Sequence, residues 1–332
     1  MRRRDVLAAA MSIAGASEGL AQPAKKLPRL AVVSPSAPIA LMVEDSSNPY
    51  YRVLFETLRR RGWIEGKTFA VDRYGREHVG GSQPALVETM LRNKPDVIYA
   101  VGGAAVFLKA VATAAPVVAL SGDPIAMGLI QNLARPGGNI TGMSVEAGPL
   151  MHGKRIELLR EAFPALSELI YVNLRTAWDA FVGAAMRAAA ENAGIHLLPK
   201  LIDAPAGEED YRRAIAESPR AGGNAFMIGD SPMAFRYGAA IVAAVAEAKL
   251  PAMYAFPESV EAGGLMAYSF DLKELNRRAA ENIDAILRGA SPGDIPYFQA
   301  TTFSLSINLG TAKALGITFP PSILGRADQV IE

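Results

Sequence analysis

Short apolar runs alternate with longer segments of helical spacing in the first part of the chain. The runs, such as VVAL before Ser121, have the length and the β-branched content of buried strands, and the segments between them are typical of amphipathic helices. Gly62 ends one such segment, as glycine commonly ends a helix. The pattern predicts strands at 30–34, 67–74, 96–101 and 116–120 and helices at 50–62, 84–94 and 104–114.

The same alternation begins again in the second half of the chain. It follows the Gly- and Asn-rich stretch RPGGNITGMSVEAG (135–148), which favours a hinge or crossover. Regular β-α alternation favours parallel sheets covered by helices on both faces, so two series predict two similar lobes. The second series predicts strands at 168–173, 195–202, 224–230 and 251–256 and helices at 180–194, 210–219 and 234–250.

The C-terminal part departs from this alternation. An apolar run (263–270) precedes a long helix (271–289), in which Glu274 and Arg278 are spaced to pair. The remaining tail contains one alternating strand and a short helix. Since such late elements usually complete a sheet begun earlier, we expect the chain to cross between the lobes more than once.

The first 21 residues have the layout of a secretory signal peptide. A basic head (residues 2–4) precedes the weakly apolar VLAAAMSIAGA, and small residues ending at Ala21 predict cleavage there. RRDVL also resembles a twin-arginine signal, so Sec and Tat export both stay open. The alternative is a short amphipathic first helix, which the Gly and Ser residues would weaken. We therefore predict a periplasmic protein without a lipoprotein anchor, since no Cys follows the apolar region.

Composition narrows the class of protein. The 332 residues exceed what one compact core usually holds, which favours two domains. The absence of Cys excludes disulfides, thiolate nucleophiles and Cys-ligated metals. Removal of residues 1–21 takes three of the 34 basic and two of the 33 acidic residues, leaving 31 of each. This balance argues against a nucleic-acid partner, and the lack of a long apolar segment argues against a membrane span.

The loops after the predicted strands are the first places to search for a site, because open α/β sheets bind ligands at the carboxyl ends of their strands. Gly102, Gly103 and Ala104 open a helix whose N–H groups suit a carboxylate, although glycines there also suit a tight turn. Neither a dinucleotide fingerprint nor a P-loop occurs in the sequence. The other loops selected in this way are 34–36, 122–124, 173–175, 229–231 and 256–258.

Two acids occupy corresponding places in the two lobes. Asp123 and Asp230 each follow an apolar strand and a Gly, where a carboxylate either accepts from a ligand or caps the next helix. Aromatic side chains near strand ends either sandwich a planar ligand or pack under the loops; they are Tyr50, Tyr51, Trp178, Tyr254 and Phe256.

Catalytic and metal sites are poorly supported. The three His residues form no H-E-x-x-H pattern, no G-x-S-x-G elbow occurs, and no acids stand at metal-ligand spacing. We expect neither a catalytic residue, a metal site nor a cofactor.

Several long strings resemble a known family. They include GDPIAMGLI (122–130), RPGGNITG (135–142) and KRIELLREAFP (154–164), the run from Gly62 to Lys67, and the C-terminal strings 263–296 and 307–332. The chain is similar over nearly its whole length to ABC-transporter solute-binding proteins of the group that contains the bacterial tryptophan/tyrosine-binding receptors.

This resemblance implies an α/β type I periplasmic-binding fold, with two Rossmann-like doubly wound lobes joined by a hinge of three crossovers. The implied N-terminal lobe is 28–143 plus 264–291, and the C-terminal lobe is 144–263 plus 292–332. Partners would be a small-molecule ligand and the transmembrane subunits of an ABC permease, with the receptor a monomer. Ligand-binding residues are expected among Ser34, Ser36, Tyr50, Gly102, Gly103, Ala104, Asp123, Thr141, Asn173, Trp178, Asp230 and Phe256.

Two loops depart from the family pattern. An Asn/Pro-rich string is common after the first strand of the second lobe, where this chain has NLRTAWDA (173–180). The segment 34–48 is longer and more apolar than usual. The expected function is capture of an amino-acid-like, carboxylate-bearing solute for import. The alternatives are an enzyme with paired Rossmann-like domains and a sugar-responsive regulator, although the regulator would need an N-terminal helix-turn-helix.

Overall fold

The computed structural model describes residues 26–78, 83–110, 114–146, 149–218 and 222–332. The predicted signal peptide, residues 1–21, lies outside these ranges. The described residues form two sheets, and each sheet with the helices packed on it is called a lobe below.

The first lobe contains a sheet of six parallel strands in the order β11-β5-β4-β3-β1-β2. Apolar residues alternate between its two faces: Leu30 and Val32 pack into one core cluster, and Ala31 and Val33 pack into another. Both faces are therefore buried, as a doubly wound sheet requires. The strands are β1 (Arg29–Val33), β2 (Ala70–Tyr74), β3 (Val97–Val101), β4 (Val117–Ser121), β5 (Ile140–Ser144) and β11 (Phe298–Gln299).

The second lobe contains a seven-stranded sheet in the order β13-β12-β10-β9-β8-β6-β7. All neighbouring strands are parallel except β10 and β12. Leu169 and Tyr171 face one core cluster while Ile170 and Val172 face the other. The strands are β6 (Glu168–Leu174), β7 (His196–Ile202), β8 (Ala225–Ile228), β9 (Ala252–Tyr254), β10 (Met266–Phe270), β12 (Phe303–Asn308) and β13 (Gln329–Ile331).

The helices lie on both faces of the two sheets, and several begin at a side-chain cap. Asn48 accepts from the N–H groups of Tyr50 and Tyr51, and Ser231 accepts from Ala234. The helices are α1 (Pro49–Arg60), α2 (Gln83–Arg92), α3 (Ala104–Ala110), α4 (Pro149–Ala162), α5 (Arg175–Ala177), α6 (Gly183–Ala193), α7 (Glu208–Glu217), α8 (Pro232–Arg236), α9 (Gly238–Ala248), α10 (Pro257–Glu261), α11 (Leu272–Leu287), α12 (Leu309–Ala314) and α13 (Pro321–Leu324).

The chain passes between the sheets three times, as predicted: between β5 and α4, between β10 and α11, and between β11 and β12. Two strands beside these passages, β10 and β11, do not join the sheets that the predicted lobe ranges imply. β10 lies in the range 264–291, which was assigned to the N-terminal lobe, but it pairs with β9 and β12 of the second sheet. β11 lies in the range 292–332 but pairs with β5 of the first sheet. Hydrogen-bond partners distant in the chain decide sheet membership, and the local pattern does not encode them.

The glycine-rich stretch 135–148 was expected to be a hinge or crossover, and this interpretation was wrong for its centre. Residues 140–144 form β5, whose side chains are all buried and which pairs with β4 and β11. The passage to the second lobe begins only after Ser144. Gly142 and the Gly and Asn residues just before the strand are typical of a loop in sequence, although Gly142 lies in an interior strand.

A carboxylate attaches the turn after α1 to the long helix α11. Asp284 accepts hydrogen bonds from Trp63 Nε1 at 2.8 Å, from Arg61 Nη1 at 2.9 Å and from Arg288 Nε at 2.6 Å. Burial by itself raises the pKa of Asp284, but these three donors outweigh burial and the pKa lies below its ordinary value. The ionised form therefore stabilises the packing of α1 on α11.

We expect Asp284→Asn to reduce the free energy of unfolding at pH 7 by about 1–3 kcal/mol, because charged hydrogen bonds are lost. A lowered native pKa gives stability that is present above the unfolded-state pKa and is lost as the pH falls through the native value. The difference between the two proteins should therefore shrink below about pH 4. Urea unfolding between pH 3 and 8 measures it. Asp294→Asn, an exposed acid near the same helix, is the control and should change little; an Asp284→Asn difference independent of pH would contradict the prediction.

Candidate functional site

The strand-end loops of the two lobes meet at a common boundary, called the cleft below. The hydroxyl of Tyr50, from α1 of the first lobe, donates a hydrogen bond to Glu258 of α10 in the second. A Cβ placed on Gly102 of the first lobe would lie 3.1 Å from Pro232 Cγ of the second. Two predicted site residues of the first lobe, Tyr50 and Gly102, therefore lie beside residues of the second lobe.

The loop after β1 contributes Ser34 and Ser36. Ser34 is buried, its N–H donates to the carbonyl of Tyr74, and its hydroxyl lies 3.4 Å from that of Ser36. Burial raises the pKa of the Tyr51 hydroxyl to about 12, against the opposing effect of its hydrogen bond with Ser34. The predicted serine pair is therefore assembled, and a buried tyrosine supports it.

The turn before α3 has the geometry that its glycines suggest. Gly102 has φ +66°, in the left-handed region that glycine adopts without strain, and its N–H donates to Leu120. Gly103 is exposed, whereas Ala104 is buried. The backbone thus turns sharply at the carboxyl end of β3 and directs the start of α3 toward the cleft boundary.

Asp123 caps the turn that follows β4. Its Oδ1 accepts from the N–H groups of Ile125 at 2.9 Å and of Ala126 at 3.0 Å. The sequence left two roles open for Asp123, accepting from a ligand or capping the next turn, and in the structure its carboxylate forms the cap. Thr141 lies near the start of β5, where its hydroxyl donates to the carbonyl of Ile295 at 2.8 Å. Thr141 lies three residues before the end of β5, which places it about 10 Å from the cleft end of that strand. It is therefore not brought together with the other predicted residues.

The predicted residues after β6 are used in packing. Asn173 is buried, its Nδ2 donates to the Tyr171 hydroxyl at 2.8 Å, and its Oδ1 accepts from Leu174 N–H. Trp178 lies in a π-helical turn (Trp178–Val182) within the core of the second lobe, with its ring 5.9 Å from that of Tyr171. Arg187 covers the Trp178 ring at 5.0 Å. These contacts match the packing alternative that the sequence left open for the aromatic residues.

Asp230 does not cap α8, because Ser231 takes that position. Its carboxylate instead lies 3.4 Å from Nη1 of Arg155, and both side chains are buried. Arg155 Nε also donates to the carbonyl of Tyr268 at 2.9 Å. Burial raises the pKa of the neighbouring Tyr171 hydroxyl; Asp230 raises it further and Arg155 lowers it, which shows that these groups share one electrostatic environment.

A second buried pair includes His152, which lies on the same helix as Arg155. His152 Nε2 lies 3.3 Å from the Glu146 carboxylate, and neither side chain is appreciably exposed. The sequence analysis singled out neither Arg155 nor Glu146, since their partners lie on other elements. A helical spacing of three between His152 and Arg155 was the one available signal, and it does not identify a partner.

Aromatic rings form a wall across the cleft. The ring of Tyr50 is 5.7 Å from that of Phe235, which is 5.2 Å from the ring of Phe256 in an edge-to-face arrangement. Phe256 is also edge-to-face with Phe270 at 6.1 Å. Phe256 therefore extends from the second lobe into a core cluster made mostly of first-lobe residues. Phe235 was not predicted, since it lies inside a helix rather than at a strand end.

A separate groove of about 580 Å³ lies on the flank of the first lobe. Residues of α11 and of 295–301 line it, and Arg278 covers the ring of Phe298 at 3.7 Å. None of the predicted site residues lines this groove, so it is not the cleft. Within the described ranges, no cluster of three His, Cys, Asp or Glu could hold a metal, and no helix is both long and apolar enough to cross a bilayer.

Comparison with known proteins gives a family match over most of the chain. The model of a family described as ABC transporter substrate binding protein matches residues 38–331. The chain is also similar to a tyrosine-binding protein from Clostridioides difficile (strain R20291). The two are 25% identical over 274 residues, which cover 78% of this chain and 74% of that protein.

Two solved structures share the architecture. A conserved domain protein from Vibrio cholerae has a TM-score of 0.81 at 24% identity, over 92% of this chain and 100% of that one. An ABC domain in complex with L-Trp from Streptococcus pneumonia has a TM-score of 0.78 at 24% identity, with the same coverage of both chains. At this level of identity the likeness shows the fold. Together with the two parallel-dominant sheets, it confirms the predicted type I periplasmic-binding fold.

Proposed function

The chain belongs to the ABC transporter substrate-binding protein family, and on that premise we propose that its cleft captures a small amino-acid-like ligand with a carboxylate. The protein then delivers this ligand to the transmembrane subunits of an ABC permease. It acts as a monomer in the periplasm, after export on the N-terminal signal peptide.

The observation that carries this proposal is the meeting of the two lobes at their strand ends. Tyr50 of the first lobe donates a hydrogen bond to Glu258 of the second, and Gly102 lies so close to the second lobe that an added Cβ would be 3.1 Å from Pro232 Cγ. A ligand held by both lobes favours the closed form, and it shifts the equilibrium only by its higher affinity for that form. This mechanism needs binding without chemistry, and the alternative of a paired-Rossmann enzyme gains no support from the family match.

The cleft offers groups for each part of such a ligand. The backbone N–H groups at Gly103 and Ala104 suit its carboxylate, with the serine pair of Ser34 and Ser36 in the loop that follows the neighbouring strand β1. Tyr50, Phe235 and Phe256 suit an apolar or aromatic body. The names of two similar proteins, one tyrosine-binding and one in complex with L-Trp, support an aromatic amino acid as the first ligand to test.

We expect L-tyrosine or L-tryptophan to raise the melting temperature of the purified protein. At about 100 times Kd a ligand stabilises by about 2.7 kcal/mol, which corresponds to a shift of roughly 4 °C for a protein of this size, because the entropy of unfolding grows with chain length. Differential scanning fluorimetry measures the shift, with galactose as the control ligand. Chromatography of the recovered ligand checks that it is unchanged. Absence of any shift across amino acids and aromatic carboxylic acids, or conversion of the bound compound to a product, would contradict the proposal.

A further inference from the structure

The cleft contains three carboxylates near strand ends, and their hydrogen-bond partners separate them. Asp123 is occupied by the N–H groups of its own turn, and Asp230 is paired with Arg155. Glu258 differs, because its Oε1 accepts from the Tyr50 hydroxyl while its Oε2 is buried and has no hydrogen-bond partner among the described residues. One carboxylate oxygen in the cleft, Glu258 Oε2, is therefore buried away from water without a hydrogen bond that would replace its hydration.

The surroundings of Glu258 make this isolation costly. No Lys, Arg or His of the described residues forms an ion pair with its carboxylate within 4 Å. The Tyr50 hydroxyl donates to it, and the Tyr50 ring continues into the aromatic wall of Phe235 and Phe256. Glu258 as a whole is only partly buried, but a carboxylate oxygen that is buried without a partner is unfavourable, so a cationic group that reached Oε2 would gain a favourable interaction.

The electrostatic environment of Tyr50 also indicates excess negative charge here. Burial raises the pKa of the Tyr50 hydroxyl, and Glu258, Glu261 and Asp271 each raise it further. Asp271 caps α11 through the N–H groups of Lys273 and Glu274. All of these side-chain charges act in the same direction, which is the potential that a positively charged group requires.

Other buried polar atoms without a hydrogen bond lack this character. Arg155 Nη2 belongs to a guanidinium that already faces Asp230, and the His152 nitrogens lie beside Glu146. Each of those groups has an opposite charge or a titratable partner within 4 Å. Among the residues that the structure describes, Glu258 alone combines a buried free acceptor oxygen, a hydrogen bond from the opposite lobe and neighbouring aromatic rings.

We propose that Glu258 Oε2 accepts the ammonium group of the ligand while Tyr50 holds Oε1 from the opposite lobe. This assignment rests on the proposed function and narrows it: the ligand carries a protonated amine as well as its carboxylate. The ammonium enters when the lobes are apart, and closure brings the Tyr50 hydroxyl onto the same carboxylate. Glu258 is thus the residue that distinguishes an amino acid from the corresponding carboxylic acid without the amine.

The test compares matched ligands on matched variants by isothermal titration calorimetry. The ligands are L-tyrosine and L-tryptophan, each with its analogue lacking the amine, 3-(4-hydroxyphenyl)propanoate and 3-indolepropanoate. We expect Glu258→Gln to weaken binding of the amino acid by about 10- to 100-fold, because a charge-assisted hydrogen bond is lost. Binding of the analogue should change by less than about 3-fold, so that the preference for the amine largely disappears.

Glu261→Gln is the control, since it removes the same charge from the same helix at an exposed position beside Gln329. It should keep the preference for the amine. The melting temperature of ligand-free Glu258→Gln should stay the same or rise, since the glutamine still accepts from Tyr50 and removes a buried charge; this separates a binding role from a structural one. Unchanged preference in Glu258→Gln overturns the inference alone. Failure of the wild type to bind any of the four compounds overturns both the proposed ligand class and this inference.

Discussion

The Gly142→Ala protein should fail to form the native first lobe. Gly142 pairs with Ala119 in the neighbouring strands β5 and β4, and a Cβ at position 142 would lie 1.9 Å from the Ala119 carbonyl oxygen. It would also lie 2.7 Å from Ala119 N and 2.8 Å from Ala119 C. These are backbone atoms of a fully buried interior strand, so no side chain can move aside to relieve the overlap.

Accommodation of the methyl group would require β4 and β5 to separate at the centre of the sheet. We expect a loss of more than about 4–5 kcal/mol, which approaches the whole stability of many proteins. Circular dichroism and urea unfolding of the purified protein measure it, together with the soluble yield.

Gly138→Ala is the matched control, because it lies in the same RPGGNITG string and an added Cβ meets nothing within 4 Å. This substitution should cost less than about 1 kcal/mol. A Gly142→Ala protein that unfolds at the same urea concentration as the wild type would show that β4 and β5 do not approach as closely as described.

The second large effect is expected at Arg155. Arg155→Met replaces the guanidinium by an apolar chain, leaves the Asp230 carboxylate, whose side chain is only 6% exposed, without its positive partner, and removes the hydrogen bond to the Tyr268 carbonyl. Removal of one partner from a buried ion pair typically costs about 3–5 kcal/mol, because the remaining charge is uncompensated. Urea unfolding at pH 7 should show a loss of this size.

The double variant Arg155→Met/Asp230→Asn should recover part of that loss, because it no longer buries an unpaired charge. Arg160→Met is the control on the same helix: its side chain is exposed and donates to the Ala193 carbonyl, so it should cost less than about 1.5 kcal/mol. If the double variant were as unstable as the sum of its single substitutions, the two side chains would not be coupled and the assigned pair would be wrong.

Most of the strands and helices could be predicted from the sequence, because their signals are local. VVAL before Ser121 forms β4, and the helical spacing of 50–62 forms α1, within one or two residues of the predicted bounds. β5 was missed because Gly142 and the Gly and Asn residues just before the strand are typical of loops. A glycine is required at this position because Ala119, which is distant in the chain, approaches too closely to leave room for a Cβ.

The candidate site divides in a similar way. The rule that ligands bind at strand ends selected the loops 34–36, 102–104 and 256–258, and Glu258 of the last of these accepts a hydrogen bond from Tyr50 of the opposite lobe. It did not distinguish the roles of the acids. Asp230 is paired with a residue 75 positions earlier, and Glu258 accepts from a residue 208 positions earlier.

The sequence by itself determined the β-α alternation and the two-lobe fold, because periodicity, turn residues and family strings are properties of neighbouring residues. Only the tertiary structure decided which sheet β10 and β11 join and which carboxylate in the cleft stays without a partner. These outcomes depend on pairing between elements far apart in the chain. Whether a buried charge or an unpaired strand edge is stabilised depends on the group that folding places against it.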